Sequence, residues 1–328
     1  MKINVNALRS ILINILVRKG FSSEQAEIIA NEYWESEISG KKTHGVAKFL
    51  KELQFLTERN GEPKIILDKG AVVLLDGNKE IGQLAAKYCI ELLIKRTRQY
   101  GTAIIGINNI QRYGALGFWV RQIAKKDLIG IITNSCEPAT TVFGGISPIL
   151  GTNPIAVSIP TSKDPIILDM ATSKASMSFL LYSVFYKKSL PRKTFLDSEG
   201  EYTQDPSKVK AVENFGEYKG YGLSLIFQIL SGSLIKAKMG HQINSMYDIG
   251  YYFQAIDPSI FQDIKSFKRQ NDQLIKEIKA SERKPDVKQI FIPGEKSKII
   301  KEKILKDESI KIPDKLFNLL NKQINEKH

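Results

Sequence analysis

Apolar residues near the N-terminus recur with the 3.6-residue period of an amphipathic helix. Gly20 follows this run as a stop signal, and Ser22 with Gln25 has the spacing of a capping box that begins a second helix. We therefore predict that residues 1–60 are helical.

The pattern changes beyond residue 70, where short apolar runs alternate with helical periods. This alternation predicts strands at 71–77, 102–107 and 128–135, with helices at 81–100 and 114–126 between them. Two further strand-like runs, at 153–160 and 165–172, are joined by a short polar link. Such a link suits an antiparallel hairpin, because parallel neighbours need a crossover of about a dozen residues or more. The sheet should therefore be mixed, in an α/β or α+β fold.

The last third of the chain returns to helical periods. They predict helices at 219–238, 261–280, 296–308 and 313–326, with one strand at 251–256. No Gly-x-Gly-x-x-Gly segment follows a strand, and no Walker pattern occurs in the sequence. If the chain binds a dinucleotide, it does so without a conventional Rossmann fold.

Composition and charge narrow the class of protein. The 328 residues include 48 Lys and Arg against 35 Asp and Glu, a net charge of +13. This excess of positive charge suggests nucleic-acid binding, but lysines near the C-terminus alternate with acidic residues, as on a solvated helix face. Cys89 and Cys136 form neither a disulfide framework nor a metal-binding spacing, and no apolar run is long enough to cross a membrane. We expect a soluble cytoplasmic protein with no metal site that binds neither nucleic acid nor membranes.

The three histidines of the chain are candidates for proton transfer near neutral pH. His241 and His328 have polar surroundings typical of a surface. His44 follows Thr43 in a glycine-bracketed turn between two helical segments, and Lys48 comes four residues later. The spacing alone leaves two interpretations open, a surface histidine near a helix end or a catalytic acid.

Several motifs stand in a fixed order along the chain. They are Thr43-His44-Gly45-Val46-Ala47-Lys48, Phe143-Gly144-Gly145, Leu150-Gly151-Thr152-Asn153-Pro154, Leu168-Asp169-Met170-Ala171-Thr172-Ser173, Leu196-Asp197-Ser198-Glu199-Gly200, Lys219-Gly220-Tyr221-Gly222-Leu223, Ala255-Ile256-Asp257-Pro258 and Ile292-Pro293-Gly294-Glu295. In this order they resemble the malate/L-lactate dehydrogenase family over nearly the whole chain. A series of motifs in order is far more specific than any single one.

The resemblance implies both an activity and a fold. The family includes sulfolactate, ureidoglycolate and malate dehydrogenases, diketogulonate reductase and piperideine-carboxylate reductase. Its members transfer hydride between NAD or NADP and a small 2-hydroxy, 2-oxo or cyclic imino carboxylate. The implied fold is a homodimer with a helical domain formed by both chain ends, residues 1–70 and 262–328. This domain packs against a mixed α/β cofactor-binding domain at 71–261.

The same resemblance implies roles for individual residues. His44 would transfer the proton with Thr43 to orient it, while Lys48, Arg112 and Thr152 would bind the carboxylate substrate. Cofactor contacts are implied for Arg112, Tyr113, Gly114, Ala115, Leu116, Asp169, Met170, Ala171, Tyr218, Lys219, Pro293, Gly294 and Glu295. Hydride delivered to a carbonyl carbon builds negative charge on its oxygen, and histidine, with an ordinary pKa of about 6.5, suits the proton transfer.

The chain departs from the family pattern at several of these positions. Arg112 stands where a second histidine is common, and Lys48 stands where an arginine binds the carboxylate. Met177-Ser178 replaces an Arg-Gly pair, Tyr218 replaces a histidine, and the apolar pair Phe179-Leu180 occupies the region of a relay carboxylate. Because arginine binds anions but does not readily donate a proton, these changes alter the implied catalytic site.

Three functions therefore remain open. The first is an active NAD(P)-dependent reductase that uses His44 as its acid, with Lys48 and Arg112 holding the carboxylate. The second is a degenerate relative that keeps the fold without turnover. The third is a basic RNA-binding or scaffolding protein.

Overall fold

The computed structural model describes residues 1–56 and 59–325. The predictions for His328, for residues 57–58 of the helical segment 1–60 and for the last residue of the helix 313–326 lie outside these described residues.

Ten α-helices and fourteen strands form within the described residues. The helices are α1 Val5–Arg18, α2 Ser23–Ile38, α3 Val46–Glu52, α4 Gly82–Tyr100, α5 Leu116–Ala124, α6 Ser178–Tyr186, α7 Tyr218–Leu230, α8 Ile264–Ala280, α9 Glu295–Lys306 and α10 Asp314–Asn325. The strands are β1 Lys2–Asn4, β2 Lys64–Asp68, β3 Val72–Asp76, β4 Thr102–Asn108, β5 Ile129–Asn134, β6 Thr140–Thr141, β7 Pro148–Leu150, β8 Ile155–Ile159, β9 Ile166–Met170, β10 Phe195–Leu196, β11 Tyr202–Thr203, β12 Ala211–Val212, β13 Gly250–Ile256 and β14 Ser309–Lys311.

A seven-stranded sheet forms the centre of the molecule, in the order β2-β3-β4-β13-β5-β8-β9. β3 and β4 are parallel, with α4 as their crossover, and the other neighbours are antiparallel. The mixed sheet and the β8–β9 hairpin are thus confirmed. α4 ends at Tyr100, as predicted, and Gly101 with its positive φ of 79° is the left-handed C-cap of the helix. Both α4 and α5 pack on the sheet around the buried Trp119 and Phe253.

The two chain ends form a separate apolar core. α1, α2, α3 and α10 enclose fully buried Leu8, Leu12 and Phe49. Each such side chain stabilises the fold by about 1.5–3 kcal/mol. β1 pairs antiparallel with β14, which ties the N-terminus to the C-terminal helices. The predicted capping box of Ser22 and Gln25 is present at the start of α2.

Several short elements were not predicted. A five-stranded sheet, β11-β10-β12-β6-β7, and the pair β1–β14 consist of strands of two or three residues, too short to show a period. Helix α6 was not predicted either. The predicted helix 219–238 is wrong beyond Leu230, because Gly232 leaves helical geometry at φ −113° and ψ −102°.

The division into two domains stays a prediction. β2 lies within residues 1–70, which were assigned to the helical domain, yet it pairs with β3 at the edge of the large sheet. Within the described ranges, none of the helices combines the length and the apolar character needed to cross a membrane.

Candidate active site

The turn that carries His44 is held by a buried carboxylate. A 3-10 turn, Lys42–His44, links α2 to α3. Glu37 accepts a hydrogen bond from the Val46 backbone N–H at 3.0 Å and another from the Tyr186 hydroxyl at 2.7 Å. Burial raises the pKa of Glu37, although these hydrogen bonds oppose the change. A Cβ on Gly45 would lie 2.1 Å from a Glu37 carboxylate oxygen, so the turn requires glycine here.

His44 itself contacts the hydroxyl predicted to orient it. The Thr43 Oγ1 lies 2.9 Å from the His44 Nδ1. The pKa of His44 falls well below its ordinary value, because the ring is desolvated and because Lys48 and Lys41 carry positive charge nearby. His44 is therefore neutral at pH 7.

The loop at 112–116 is held by a second buried carboxylate, Glu32 of α2. Its Oε1 accepts the backbone N–H groups of Gly114 and Ala115 at 3.0 and 2.8 Å, and its Oε2 accepts the Trp119 indole N–H at 2.9 Å. Burial raises the pKa of Glu32 against the effect of these bonds. Glu32 was not among the predicted site residues. The sequence indicates it only as an acidic residue that lies three positions after Ile29, on the otherwise apolar face of α2.

Aromatic stacking fixes the same loop from the side of the sheet. The rings of Tyr113 and Tyr251 stack with centroids 4.3 Å apart. The Tyr251 hydroxyl accepts the Tyr113 backbone N–H at 2.9 Å and donates to the Tyr113 carbonyl at 3.0 Å. The loop is thereby attached both to α2 and to β13.

Gly114 brings this loop into contact with the histidine turn. A Cβ on Gly114 would lie 2.1 Å from the Lys48 Nζ and 2.6 Å from the His44 Cδ2. The close approach therefore depends on the missing side chain, and it places Arg112, Lys48 and His44 around one space.

Two of the cations that line this space, Lys48 and Arg112, are paired with carboxylates. One oxygen of Glu52 lies 3.8 Å from the Lys48 Nζ and 3.5 Å from the Arg112 Nε, and the other accepts the Tyr33 hydroxyl at 2.7 Å. Glu137 accepts a hydrogen bond from the Arg112 Nη1 at 2.6 Å. Burial alone would lower the pKa of Arg112, but Glu137 and Glu52 raise it overall. Neither acid was predicted, although Glu52 has the i, i+4 spacing of an ion pair with Lys48.

A cavity of about 340 Å³ lies between these elements. It is lined by six of the predicted site residues, namely His44, Lys48, Arg112, Tyr113, Gly114 and Thr152. Thr43 contacts the His44 Nδ1 and is not part of the lining. Ala115 and Leu116 are buried at the start of α5 and do not line it. The remaining wall includes the apolar side chains Met177, Leu181 and Ile249.

A second, larger cavity of about 900 Å³ contains the predicted segment Pro293-Gly294-Glu295. The Ile167 backbone N–H donates to the Pro293 carbonyl at 3.1 Å, so this segment lies along β9. Arg121, Lys163 and Lys298 also line this cavity.

Asp169 of β9 forms an ion pair with Lys41, next to the turn that carries His44. It lies two residues beyond Ile167 on the same strand. Met170 ends β9 and pairs with Ile155 of β8, and Ala171 follows it. All three lie outside the linings of both cavities.

Tyr218 and Lys219 are not brought to either cavity. They begin α7, where 59% of Tyr218 is exposed and its ring meets Phe143 edge-on at 6.2 Å. The Lys219 Nζ lies 5.9 Å from the centre of the Tyr218 ring. Their predicted contact with the cofactor remains a prediction.

The family of the chain follows from comparison with known proteins. The malate/L-lactate dehydrogenase family model matches residues 3–321. The chain belongs to this family. It is 32% identical to the malate/(S)-sulfolactate dehydrogenase of Methanothermus fervidus, over 97% of this chain and 96% of that protein. It is 30% identical to the NAD(+) ureidoglycolate dehydrogenase of Escherichia coli K12, over 98% of this chain and 95% of that protein.

Solved structures of family members have the same fold. Sulfolactate dehydrogenase from Methanocaldococcus jannaschii superposes with a TM-score of 0.88 at 31% identity, covering 99% of this chain and 97% of that one. Malate dehydrogenase from Entamoeba histolytica gives a TM-score of 0.93 at 21% identity, covering 100% and 99%, and supports the fold alone. The mixed, non-Rossmann fold and the family predicted from the motifs are confirmed. Family membership also supports an oxidoreductase activity.

Proposed function

We propose that the protein is an NAD(P)-dependent dehydrogenase of a small 2-hydroxy, 2-oxo or cyclic imino carboxylate, with His44 as the proton-transfer residue. The observation that carries the proposal is the single cavity in which His44, Lys48 and Arg112 meet. A proton acceptor beside two cations is what the oxidation of a hydroxy acid requires. The names of the relatives, which include malate, sulfolactate and ureidoglycolate dehydrogenases, support the same substrate class.

The residues of the chain fit a nicotinamide dinucleotide. Among the described residues, the cavity of about 900 Å³ is lined by seven Lys and Arg side chains against five carboxylates, and this excess of positive charge suits the diphosphate and its attached groups. The loop at 112–116 would hold the nicotinamide end beside His44. When bound, the cofactor would exchange hydride with C2 of the substrate.

The side chains of the smaller cavity then have distinct tasks. Lys48 and Arg112 hold the substrate carboxylate, and Thr152 lies beside them in the cavity wall. With Nδ1–H directed to the Thr43 hydroxyl, the His44 Nε2 is free to take the proton of the C2 hydroxyl. In the reverse direction, protonated His44 returns this proton to the carbonyl oxygen. The low pKa of His44 keeps the ring neutral, which is the form that accepts a proton in oxidation.

The test is turnover by the purified protein with NAD⁺, NADP⁺, NADH and NADPH against panels of 2-hydroxy, 2-oxo and cyclic imino acids. We expect His44→Ala to lower kcat by a factor of about 10²–10⁴, the usual contribution of general acid–base catalysis. His241→Ala is the matched control, because His241 lies in a 3-10 turn outside both cavities. Equal turnover by the two variants would remove His44 from the mechanism. Light scattering of the same sample tests the homodimer that belongs to this proposal.

A catalytically degenerate relative is the second candidate. It is favoured by the ion pairs of Arg112 with Glu137 and Glu52, which occupy the guanidinium before any substrate binds. In that case Arg112→His would create turnover where the natural chain has none. If both forms reduce 2-oxo acids equally well, degeneration is the wrong account.

A further inference from the structure

We infer that Glu137 and Glu52 make the smaller cavity selective for monocarboxylates over dicarboxylates by occupying Arg112. The inference rests on the proposed function and adds to it the charge and the polarity of the substrate.

The first observation is the pairing of Arg112. Its guanidinium contacts carboxylates at two of its nitrogens, Glu137 at 2.6 Å from Nη1 and Glu52 at 3.5 Å from Nε. Glu52 is itself fixed by the Tyr33 hydroxyl at 2.7 Å, and only 7% of its side chain is exposed. A second substrate carboxylate would have to displace Glu137 from Arg112 or lie beside it, and like charges in contact repel each other.

The second observation is the charge balance of the wall. Among the residues that the structure describes, the charged side chains that line the cavity are three cations, Lys48, Lys51 and Arg112, and two carboxylates, Glu52 and Glu137. With His44 neutral, the wall carries one net positive charge. One substrate carboxylate balances this charge, whereas two substrate carboxylates would leave a net negative charge in the cavity.

The third observation is the polarity of the remaining wall. Met177 and Leu181 of the α6 region and Ile249 before β13 present apolar side chains to the cavity, together with Pro138 and Pro154. An apolar substituent on C2 of the substrate would be desolvated favourably against them, whereas an ionised one would lose hydration and meet Arg112 already paired with Glu137. Among the described residues of the lining, the third cation, Lys51, is exposed to solvent. The substrate class is therefore a 2-hydroxy or 2-oxo monocarboxylate with an apolar substituent.

The test compares L-2-hydroxybutyrate with L-malate, which differ mainly by a methyl group in place of a carboxylate. We expect kcat/KM of the natural chain to be at least about tenfold higher for hydroxybutyrate. Glu137→Gln frees Arg112 and should raise the ratio of malate to hydroxybutyrate by about tenfold. Glu137→Asp keeps the charge and should keep the natural preference. The matched control is Glu213→Gln, since Glu213 also pairs with a cation, Lys174, but lies outside both cavities.

A thermal-shift titration with the same two acids gives a readout that does not depend on turnover. The ratio of their half-saturating concentrations should change with Glu137→Gln as the kinetic ratio does. Binding or turnover that favours malate in the natural chain, or a ratio that Glu137→Gln leaves unchanged, would overturn the inference while the proposed dehydrogenase stands. Selective binding without turnover of any acid would support the inference and overturn the proposed activity. The absence of binding of either acid would overturn both.

Discussion

The two cavities contain similar charged residues, but they differ in how those residues are held. In the smaller cavity, 11% of the Lys48 side chain and 7% of Glu52 are exposed. Glu52 also accepts the Tyr33 hydroxyl there, and outside the lining Glu32 and Glu37 bind donors of the loop at 112–116 and of the turn that carries His44. In the larger cavity, the ion pairs are more exposed than Lys48–Glu52. In Arg121–Glu35, 26% and 17% of the side chains are exposed, and in Lys298–Asp164, 43% and 60%.

This difference separates a rigid site from an adaptable one. An exposed ion pair contributes about 0–1 kcal/mol, and a ligand phosphate can replace the carboxylate at little cost. Breaking a buried pair such as Lys48–Glu52 by removing one partner costs about 3–5 kcal/mol, so this part of the smaller cavity keeps its geometry before the substrate arrives. Such an arrangement suits chemistry in the smaller cavity and cofactor binding in the larger one.

The largest expected effect comes from disturbing the contact between the loop and the histidine turn. Gly114→Ala introduces a methyl group 2.1 Å from the Lys48 Nζ and 2.6 Å from the His44 Cδ2, so both must move. We expect kcat/KM to fall by about a hundredfold, the scale of a displacement of about 1 Å of catalytic groups. Steady-state kinetics and thermal unfolding of the same samples measure it.

The matched control for this substitution is Gly222→Ala. Gly222 lies within α7, and its added Cβ would meet no atom within 4 Å. Alanine there should leave turnover unchanged and stabilise the helix by up to about 1 kcal/mol. Similar losses of activity in both variants would show that the contact at Gly114 has no special role.

A smaller effect is expected in the pH dependence of the rigid site. His44 must be neutral to accept the hydroxyl proton, so oxidation is lost as the pH falls through the pKa of His44. Burial, Lys48 and Lys41 hold this pKa well below its ordinary value, so the acid limb of kcat/KM, which reports the free enzyme, lies below pH 6.5. Lys48→Met removes one neighbouring positive charge, raises the pKa of His44 and should move this limb to higher pH.

Lys51→Met is the control for the pH measurement. Lys51 also lines the smaller cavity, but it is not among the cations that lower the pKa of His44. Its acid limb should coincide with that of the natural chain. A limb that moves equally in both variants, or in neither, would contradict the assignment of Lys48 as the neighbour that controls His44.

The sequence predicted most of the elements that are long enough to display a period, and the nine-residue, largely apolar helix α6 is an exception. The strands β4, β5 and β13 and the helix α4 each span six or more residues, and their positions agree with the prediction. The two-residue strands of the small sheet show no period and form only because the folded chain supplies their partners.

The site was predicted less completely, for a related reason. His44, Lys48 and Arg112 were found through motifs, and the structure brings them together. Glu32 and Glu137 were missed, because their importance lies in the partners that they meet 82 and 25 residues away. Such pairings depend on tertiary contact, which no local spacing in one sequence reveals.

The smallest effect is expected in the adaptable cavity. Lys298→Ala removes a cation that pairs with Asp164 in the natural chain and would pair with a cofactor phosphate when one is bound. We expect KM for the cofactor to rise by roughly two- to fivefold with kcat unchanged, and the rise to shrink at high salt because exposed charges are screened. Lys265→Ala on α8 is the control, since Lys265 is exposed and lines neither cavity. A loss in kcat as large as that of Gly114→Ala would show that the larger cavity is as rigid as the smaller one, and the contrast between them would have to be abandoned.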